Sequence, residues 1–250
     1  MLHILAGMTA GVHMLSLVFV AAVPDHRCLI PDVENKTTAV YNSSQAVDYI
    51  PSAASGQPDM CHYYGDNETL LSCDSWVYDT TYHTSSRAIE WDFVCSRRWM
   101  GAVAQSAYMF GVFTGAVILG SMADKFGRKT IFCVSAVLQL ILGVLVALMP
   151  EYYSFLFIRY LYGIFGSAGS YITGFVLTME MVGPSKRTIC GVAFQAAFAV
   201  GVMLDALWGF LIADRQILQV VYGLHSLLLI GHWCKHSLQR RIDEEHPSQL

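Results

Sequence analysis

A ten-residue segment holds an acid and a base whose charges could bond across a turn. Residues 120–129 read GSMADKFGRK, with Asp124 and Arg128 four positions apart. A guanidinium can bind a carboxylate through two parallel hydrogen bonds, so Arg128 suits an acid at a helix end. Gly120 would allow two helices to approach closely, and Gly127 would allow a tight turn. The segment predicts an ion-pair cluster where two helices meet.

A second group of reactive residues lies in the polar segment 24–98. It contains an even set of cysteines, Cys28, Cys61, Cys73 and Cys95. Such a set predicts disulfides if the segment faces an oxidising compartment, and four cysteines allow three pairings. The same segment contains three acceptor motifs for N-linked glycans, at Asn35, Asn42 and Asn67. Cysteines and acceptor motifs together predict a glycosylated, disulfide-bonded segment outside the cell.

The elements that position these residues are predicted to be membrane-spanning helices. The chain is 54% hydrophobic and only 14% charged, whereas soluble domains are about 25% charged. About 20 apolar helical residues cross a bilayer core. Six stretches are long enough: 1–23, 99–122, 131–149, 153–176, 189–213 and 217–234. The first could instead be a cleaved secretory signal, although no Lys or Arg precedes it as such a signal requires.

The basic residues predict the orientation of these spans. Lys and Arg cluster in the connections after the second and fourth spans and in the tail 235–250. Because short cytoplasmic loops are enriched in Lys and Arg, these connections and the tail are predicted to be cytoplasmic. The segment 24–98 is then extracellular. The alternative is a disordered cytosolic insert whose acceptor motifs are coincidental.

The sequence gives little support for an enzyme, a metal site or a nucleic-acid-binding protein. His225, His232 and His236 could share a helix face, but no acid or cysteine cluster completes a metal site. We expect no cofactor, and the net charge of −4 does not suggest binding to nucleic acid. Two charged residues lie inside predicted spans. Arg159 is expected to pair with an acid or a backbone carbonyl, and Asp205 could face a cation or point toward the membrane interface.

Several motifs resemble known transporters. The segment 120–129 is similar to the major facilitator signature. The stretches PDHRC at 24–28, EWDFVCSRRW at 90–99, RYLYG at 159–163 and EMVGPSKR at 180–187 resemble the organic cation, anion and carnitine transporters of solute carrier family 22. The resemblance extends from about His13 to about His225. A large glycosylated loop between the first two spans is also typical of that family.

The resemblance implies an all-α membrane protein with six transmembrane helices, one half of a major facilitator fold with a large extracellular loop. It implies transport of small organic cations or zwitterions such as carnitine across the plasma membrane by alternating access. Glu180 and Arg187 would join Asp124 and Arg128 in a cytoplasmic gate. Tyr171, Gln195 and Phe198 would face the central cavity, where aromatic rings attract organic cations.

The chain departs from the family pattern after about Gly231. The resemblance ends there, within one six-helix half, so the chain is expected to be an incomplete carrier that does not transport organic cations alone. Its expected partners are the lipid bilayer, a small organic ion, and a second half-transporter or full-length carrier. The alternative function is a transport-inactive membrane protein that associates with a full-length carrier.

Overall fold

The computed structural model describes residues 4–31, 33–36, 38–44, 46–52, 58–65 and 69–227. The chain divides into two compact units, one formed by Met1–Val20 with Val103–Leu250 and the other by Ala21–Ala102. The long helices are α1 (Ile4–Val20), α3 (Trp99–Phe126), α4 (Arg128–Leu148), α5 (Tyr152–Tyr162), α6 (Thr173–Met181), α7 (Arg187–Leu211) and α8 (Arg215–Leu224). The five-residue α2 (Arg87–Trp91) lies in the second unit.

Three helical stretches in the described part of the chain are long and apolar enough to cross a membrane. They are Cys95–Phe126, Arg128–Leu148 and Pro184–Leu211. Their outward side chains are apolar, as on Phe113 of α3 and Phe210 of α7, so burial in lipid removes them from water. The shorter apolar helix Leu5–Val20 corresponds to the first predicted span. Six spans therefore remain a prediction, and the sixth predicted span extends beyond the described residues.

The fourth predicted span forms one continuous helical run of changing type. Helix α5 passes into a π-helical segment, Gly163–Ile172, and then into α6, with helical backbone angles at both junctions. Gly163 lies where α3 and α5 cross. A Cβ on Gly163 would collide with the carbonyl oxygen of Tyr108, and one on Gly111 would collide with that of Tyr160. Small residues thus let the two backbones touch, as in other membrane helix pairs.

The unit Ala21–Ala102 contains short strands as well as α2. Strand β1 (His26–Cys28) pairs antiparallel with β4 (Trp76–Tyr78), and β2 (His62–Tyr64) pairs antiparallel with β3 (Leu70–Ser72). The expectation of an all-α protein is therefore corrected: the chain is mostly helical, with two small two-stranded sheets. The sequence pattern did not indicate them because strands of three residues are too short to show alternation.

Two disulfides close the small core of this unit. Cys28 bonds to Cys73, and Cys61 bonds to Cys95. Cys28, Cys73, Trp76 and Val94 are buried together around them. The sequence had left three pairings open. The pairing of β1 with β4 places Cys28 opposite Trp76, which follows Cys73 by three residues, and so brings Cys28 close to Cys73.

A buried ion pair orders the segment that follows β1. The Arg27 guanidinium binds both carboxylate oxygens of Glu34, at 2.7 and 2.8 Å, and the two side chains are 7% and 6% exposed. Arg27 also donates to the carbonyl oxygens of Val40 and Tyr41. Hydrogen bonds from Arg27 hold the pKa of Glu34 below its ordinary value. One side chain thus fixes three parts of an irregular segment.

Candidate gate and substrate-lining residues

Arg128 connects three helices at one end of the helical unit. It is the first residue of α4, and its guanidinium contacts Asp124 in the last turn of α3 at 3.2 Å and Glu180 near the end of α6 at 2.8 Å. The Arg128 side chain is 30% exposed, and those of Asp124 and Glu180 are 68% and 52% exposed. The predicted neighbours Asp124 and Arg128 therefore lie together, and Glu180 joins them.

The two glycines of this segment have different surroundings. Gly127 separates α3 from α4 with a φ of 89°, a backbone angle that a residue without a side chain adopts at little cost. A Cβ on Gly120 would meet no atom within 4 Å. The close helix approach expected at Gly120 is made instead at Gly111 on the same helix. Gly120 lines a cavity of about 190 Å³ with Ala123, Asp124, Arg128, Ile172, Thr173 and Val176.

Arg187 forms no ion pair with Glu180 among the described residues, and its place in the gate remains a prediction. Its Nε donates to the carbonyl oxygen of Val182 at 3.3 Å, across the connection between α6 and α7. The physical reason is the turn at Gly183 and Pro184, which brings the first residue of α7 back toward the end of α6. Glu180 binds Arg128 instead.

The three residues predicted to line a cavity lie side by side. Tyr171 belongs to the π segment that precedes α6, and Gln195 and Phe198 belong to α7. The Tyr171 hydroxyl donates to the Gln195 Oε1 at 3.2 Å. The Tyr171 ring lies 5.8 Å from that of Phe198 and 5.1 Å from that of Phe194. Gln195 is exposed, whereas Phe194 is fully buried. The arrangement presents an aromatic surface with one amide, which can bind a small organic ion through its ring faces and a hydrogen bond.

Comparison with known proteins identifies the family. The family described as sugar (and other) transporter matches residues 42–230. The chain belongs to this transporter family. It is 37% identical to the Organic cation transporter protein of Drosophila melanogaster over 244 residues, which are 92% of this chain and 43% of that protein. It is 33% identical to Solute carrier family 22 member 16 of Xenopus laevis, across 88% of this chain and 43% of that protein.

The resemblance to solute carrier family 22 is therefore confirmed for most of this transporter chain. Human Solute carrier family 22 member 2 is a further relative, 29% identical across 88% of the chain and 44% of its own length. The chain spans less than half the length of these relatives. That extent agrees with an amino-terminal half of a major facilitator carrier.

Some residues singled out in the sequence as glycan acceptors or metal ligands are described by the structure, and others are not. Asn35 and Asn42 are exposed, as glycan acceptors must be, whereas Asn67, His232 and His236 lie outside the described residues. Within the described ranges, no three His, Cys, Asp or Glu side chains converge in a way that could hold a metal ion. The Nδ1 of His225 instead lies 2.8 Å from the Val221 carbonyl oxygen.

Sequence reasoning missed a buried polar cluster in the helical unit. Arg159 is 4% exposed and donates to Gln105 Oε1 at 3.1 Å, while Gln105 Nε2 donates to the Met14 carbonyl oxygen at 3.3 Å. The Arg159 guanidinium lies 5.2 Å from the centre of the Tyr108 ring. A polar residue inside an apolar stretch, such as Gln105 in the second predicted span, is the signal that could have indicated this network.

Proposed function

We propose that the helical unit forms one bundle of an alternating-access carrier for small organic cations or zwitterions such as carnitine, located in the plasma membrane. The observation that carries this proposal is the contact of Arg128 with both Asp124 and Glu180. It joins the ends of α3, α4 and α6 through charges that a rearrangement of the bundle would separate. The named activity of the relatives supports transport of organic cations as the class.

The Arg128 cluster would act as a cytoplasmic gate. A carrier alternates between two conformations, and a contact made in one of them shifts the population toward that conformation. The cluster has this property because its three charged residues belong to separate helices. Its partial exposure to solvent keeps each bond weak, so the gate could open without a large barrier.

The aromatic surface of Tyr171, Gln195 and Phe198 would form part of the substrate site. A cation over an aromatic face gains about 0.5–2 kcal/mol, depending on its desolvation. The Gln195 amide could accept a hydrogen bond from a polar substrate group or donate one to it. Its side chain is exposed in the helical unit and is therefore accessible to a substrate. Transporters of this architecture bind substrate between two bundles near the membrane midplane.

The topology proposed with this function has six transmembrane helices and cytoplasmic termini. Residues 1–23 form the first helix, 24–98 an extracellular glycosylated segment, 99–234 helices two to six, and 235–250 a cytoplasmic tail. The two disulfides support the extracellular placement, because disulfides persist in oxidising compartments.

The function can be tested with a chimera. Residues 4–227 would replace the matching stretch of the Drosophila Organic cation transporter protein, and uptake of a labelled quaternary ammonium and of carnitine would be measured in cells. We expect saturable uptake that falls when Tyr171 or Gln195 is changed to Ala, with surface expression checked by biotinylation. The Val134→Ala variant, on the exposed face of α4, is a matched control.

The result that contradicts the proposal is a chimera that reaches the cell surface and takes up neither probe. The chain alone would be measured in parallel. Saturable uptake by the chain alone would show that no second bundle is required. Co-purification of an inactive chain with a full-length carrier would favour the alternative of an interaction protein.

A further inference from the structure

Four polar residues from different helices lie at the same depth in the helical unit. His13 of α1, Arg159 of α5, Asp205 of α7 and Tyr222 of α8 are each six or seven residues from one end of their helix. At 1.5 Å per residue this is about 9–11 Å. Their contacts agree with this depth, because the His13 ring lies 4.9 Å from that of Tyr162.

Asp205 is the exceptional member of this set. It is fully buried, and neither carboxylate oxygen has a hydrogen-bond partner among the described residues. The Tyr222 hydroxyl donates to the Asp205 backbone carbonyl at 2.9 Å and also interacts electrostatically with the Asp205 carboxyl group. An ionised carboxylate held in this way would lose its hydration without gaining a bond, at a cost of several kcal/mol.

The charged and titratable groups around Asp205 come from every helix that packs near it. Helix α1 contributes His13, whose Nε2 also has no partner in the described part of the chain, and α8 contributes Tyr222 and His225. Arg159 of α5 interacts electrostatically with Asp205, yet these two do not form one of the direct ion pairs seen between described residues. Helix α6 places its acid, Glu180, in the gate at the other end.

A small cavity lies beside this cluster, and Asp205 is not among the residues that line it. The cavity, of about 20 Å³, lies between His13, Ser16, Arg159, Tyr162, Gln219 and Tyr222, with Gly143 and Val146. It has room for about one water molecule, whereas a small organic ligand needs a site of roughly 300 Å³ or more. A hard metal cation would need about six oxygen ligands, and Asp205 belongs to no group of acids among the described residues. A proton needs only the carboxylate itself.

We propose that Asp205 is a proton-binding site of the bundle, distinct from the surface of Tyr171, Gln195 and Phe198. In this conformation the carboxylate takes one proton from bulk water and becomes a neutral carboxylic acid. Arg159 keeps its charge, because a guanidinium does not deprotonate in proteins. Its field favours release of the proton whenever a rearrangement brings Arg159 or water to the carboxylate. The site thereby makes the population of this conformation dependent on pH.

The proposal can be tested on the full chain in lipid nanodiscs without a transport assay. Infrared spectra of protein labelled with ¹³C-aspartate should show the band of a protonated aspartic acid near neutral pH. The band should be lost in Asp205→Asn, which imitates the neutral acid, and kept in the control Glu151→Gln, an exposed acid at the start of α5. The wild-type spectrum is decisive by itself if a variant fails to fold: no protonated aspartate band contradicts the proposal.

Thermal unfolding provides the second measurement. The folded chain would bind more protons than the unfolded chain, so its stability falls as pH rises. We expect the melting temperature to fall by about 3–5 °C for each pH unit in which the unfolded chain has lost this proton and the folded chain still holds it. Asp205→Asn should remove this slope. If Asp205→Asn instead lowers the melting temperature equally at every pH, Asp205 is ionised and compensates the charge of Arg159, and the proposal is wrong.

Discussion

Arg128 binds two acids at once, so the removal of either acid leaves the other bond in place. We predict that Asp124→Asn and Glu180→Gln each slow exchange in the chimera by about 1.5–5-fold. Loss of an exposed ion pair of about 0.2–1 kcal/mol lowers the population of the conformation that the gate stabilises and that exchange must pass through. Arg128→Gln should slow it more, because it removes both bonds. The rate would be measured as exchange of labelled quaternary ammonium.

The neighbouring base offers a control for the gate. Lys129 is exposed and follows Arg128 directly in α4. The Lys129→Gln variant should therefore have an exchange rate close to that of the unchanged protein. Equal slowing by Lys129→Gln and Arg128→Gln would mean that the net charge of the segment matters, and not the bonds of Arg128.

The Arg27–Glu34 pair predicts how the unit Ala21–Ala102 responds to acid. Because the pKa of Glu34 is lowered in the folded protein from an ordinary value of 4.5, the pair contributes stability above that value. The contribution is lost as pH falls through the lowered pKa. Glu34→Gln should cost about 3 kcal/mol near neutral pH, since it leaves a buried guanidinium without its acid.

Hydrogen exchange of peptides that contain β1 and β4 would measure this loss, after correction for the intrinsic pH dependence of exchange. The exposed Asp48→Asn variant is the control and should behave like the unchanged chain. Acid-induced opening that persists unchanged in Glu34→Gln would assign the pH dependence to another group.

At the scale of single residues, sequence reasoning found what local spacing reveals. Asp124 and Arg128 are four positions apart, so their contact could be predicted. The place of Glu180 beside Arg128 was implied only by the family resemblance and not by local spacing, because the bond joins residues 52 positions apart that the packing of α4 against α6 brings together. Local spacing did not indicate the carbonyl partner of Arg187 either, since that contact depends on the turn before α7.

At the scale of elements, the contact between α3 and α5 depends on glycine. A Cβ on Gly111 would overlap the Tyr160 carbonyl oxygen, which belongs to backbone and cannot rotate away. We predict that Gly111→Ala destabilises the helical unit by about 1–3 kcal/mol, the cost of overpacking. Unfolding in mixed micelles of increasing denaturing-detergent fraction would measure the change.

Gly120 lies on the same helix and gives a matched control. A Cβ there meets no atom within 4 Å, so Gly120→Ala should stabilise α3 by up to about 1 kcal/mol through helix propensity. If both variants lost stability to the same extent, flexibility of α3 and not the helix crossing would explain the effect of Gly111.

The length of the apolar stretches predicted where α4 lies, but it did not predict which type of helix forms in the fourth stretch. The observed α4, Arg128–Leu148, agrees with the predicted stretch 131–149 to within a few residues, because a long apolar run has few other stable states in lipid. The π segment Gly163–Ile172 was not foreseen. An insertion of that kind changes hydrogen-bond pairing without changing the apolar pattern from which helices are predicted.

At the scale of the whole molecule, charge distribution and covalent chemistry predict one topology. Lys and Arg in alternate connections predict that those connections lie in the cytoplasm. The paired cysteines and the exposed Asn35 and Asn42 suit the opposite, oxidising side. We therefore predict that endoglycosidase lowers the apparent mass of the chain, and that Asn35→Gln with Asn42→Gln removes part of this shift. Asn67 should carry the remainder.

A tag at Leu250 tests the other side of the membrane. The tail 235–250 contains the basic residues Arg240 and Arg241. Moving such charges across a bilayer is costly, so the tag should bind antibody only after cells are permeabilised. A second tag inserted after Gly65, in the unit Ala21–Ala102, should bind antibody on intact cells. Because the two tags are expected on opposite sides, labelling of both on intact cells would contradict the odd number of spans, five, that this topology puts between Gly65 and the tail. Labelling of neither would contradict the extracellular segment while leaving the helices themselves in place.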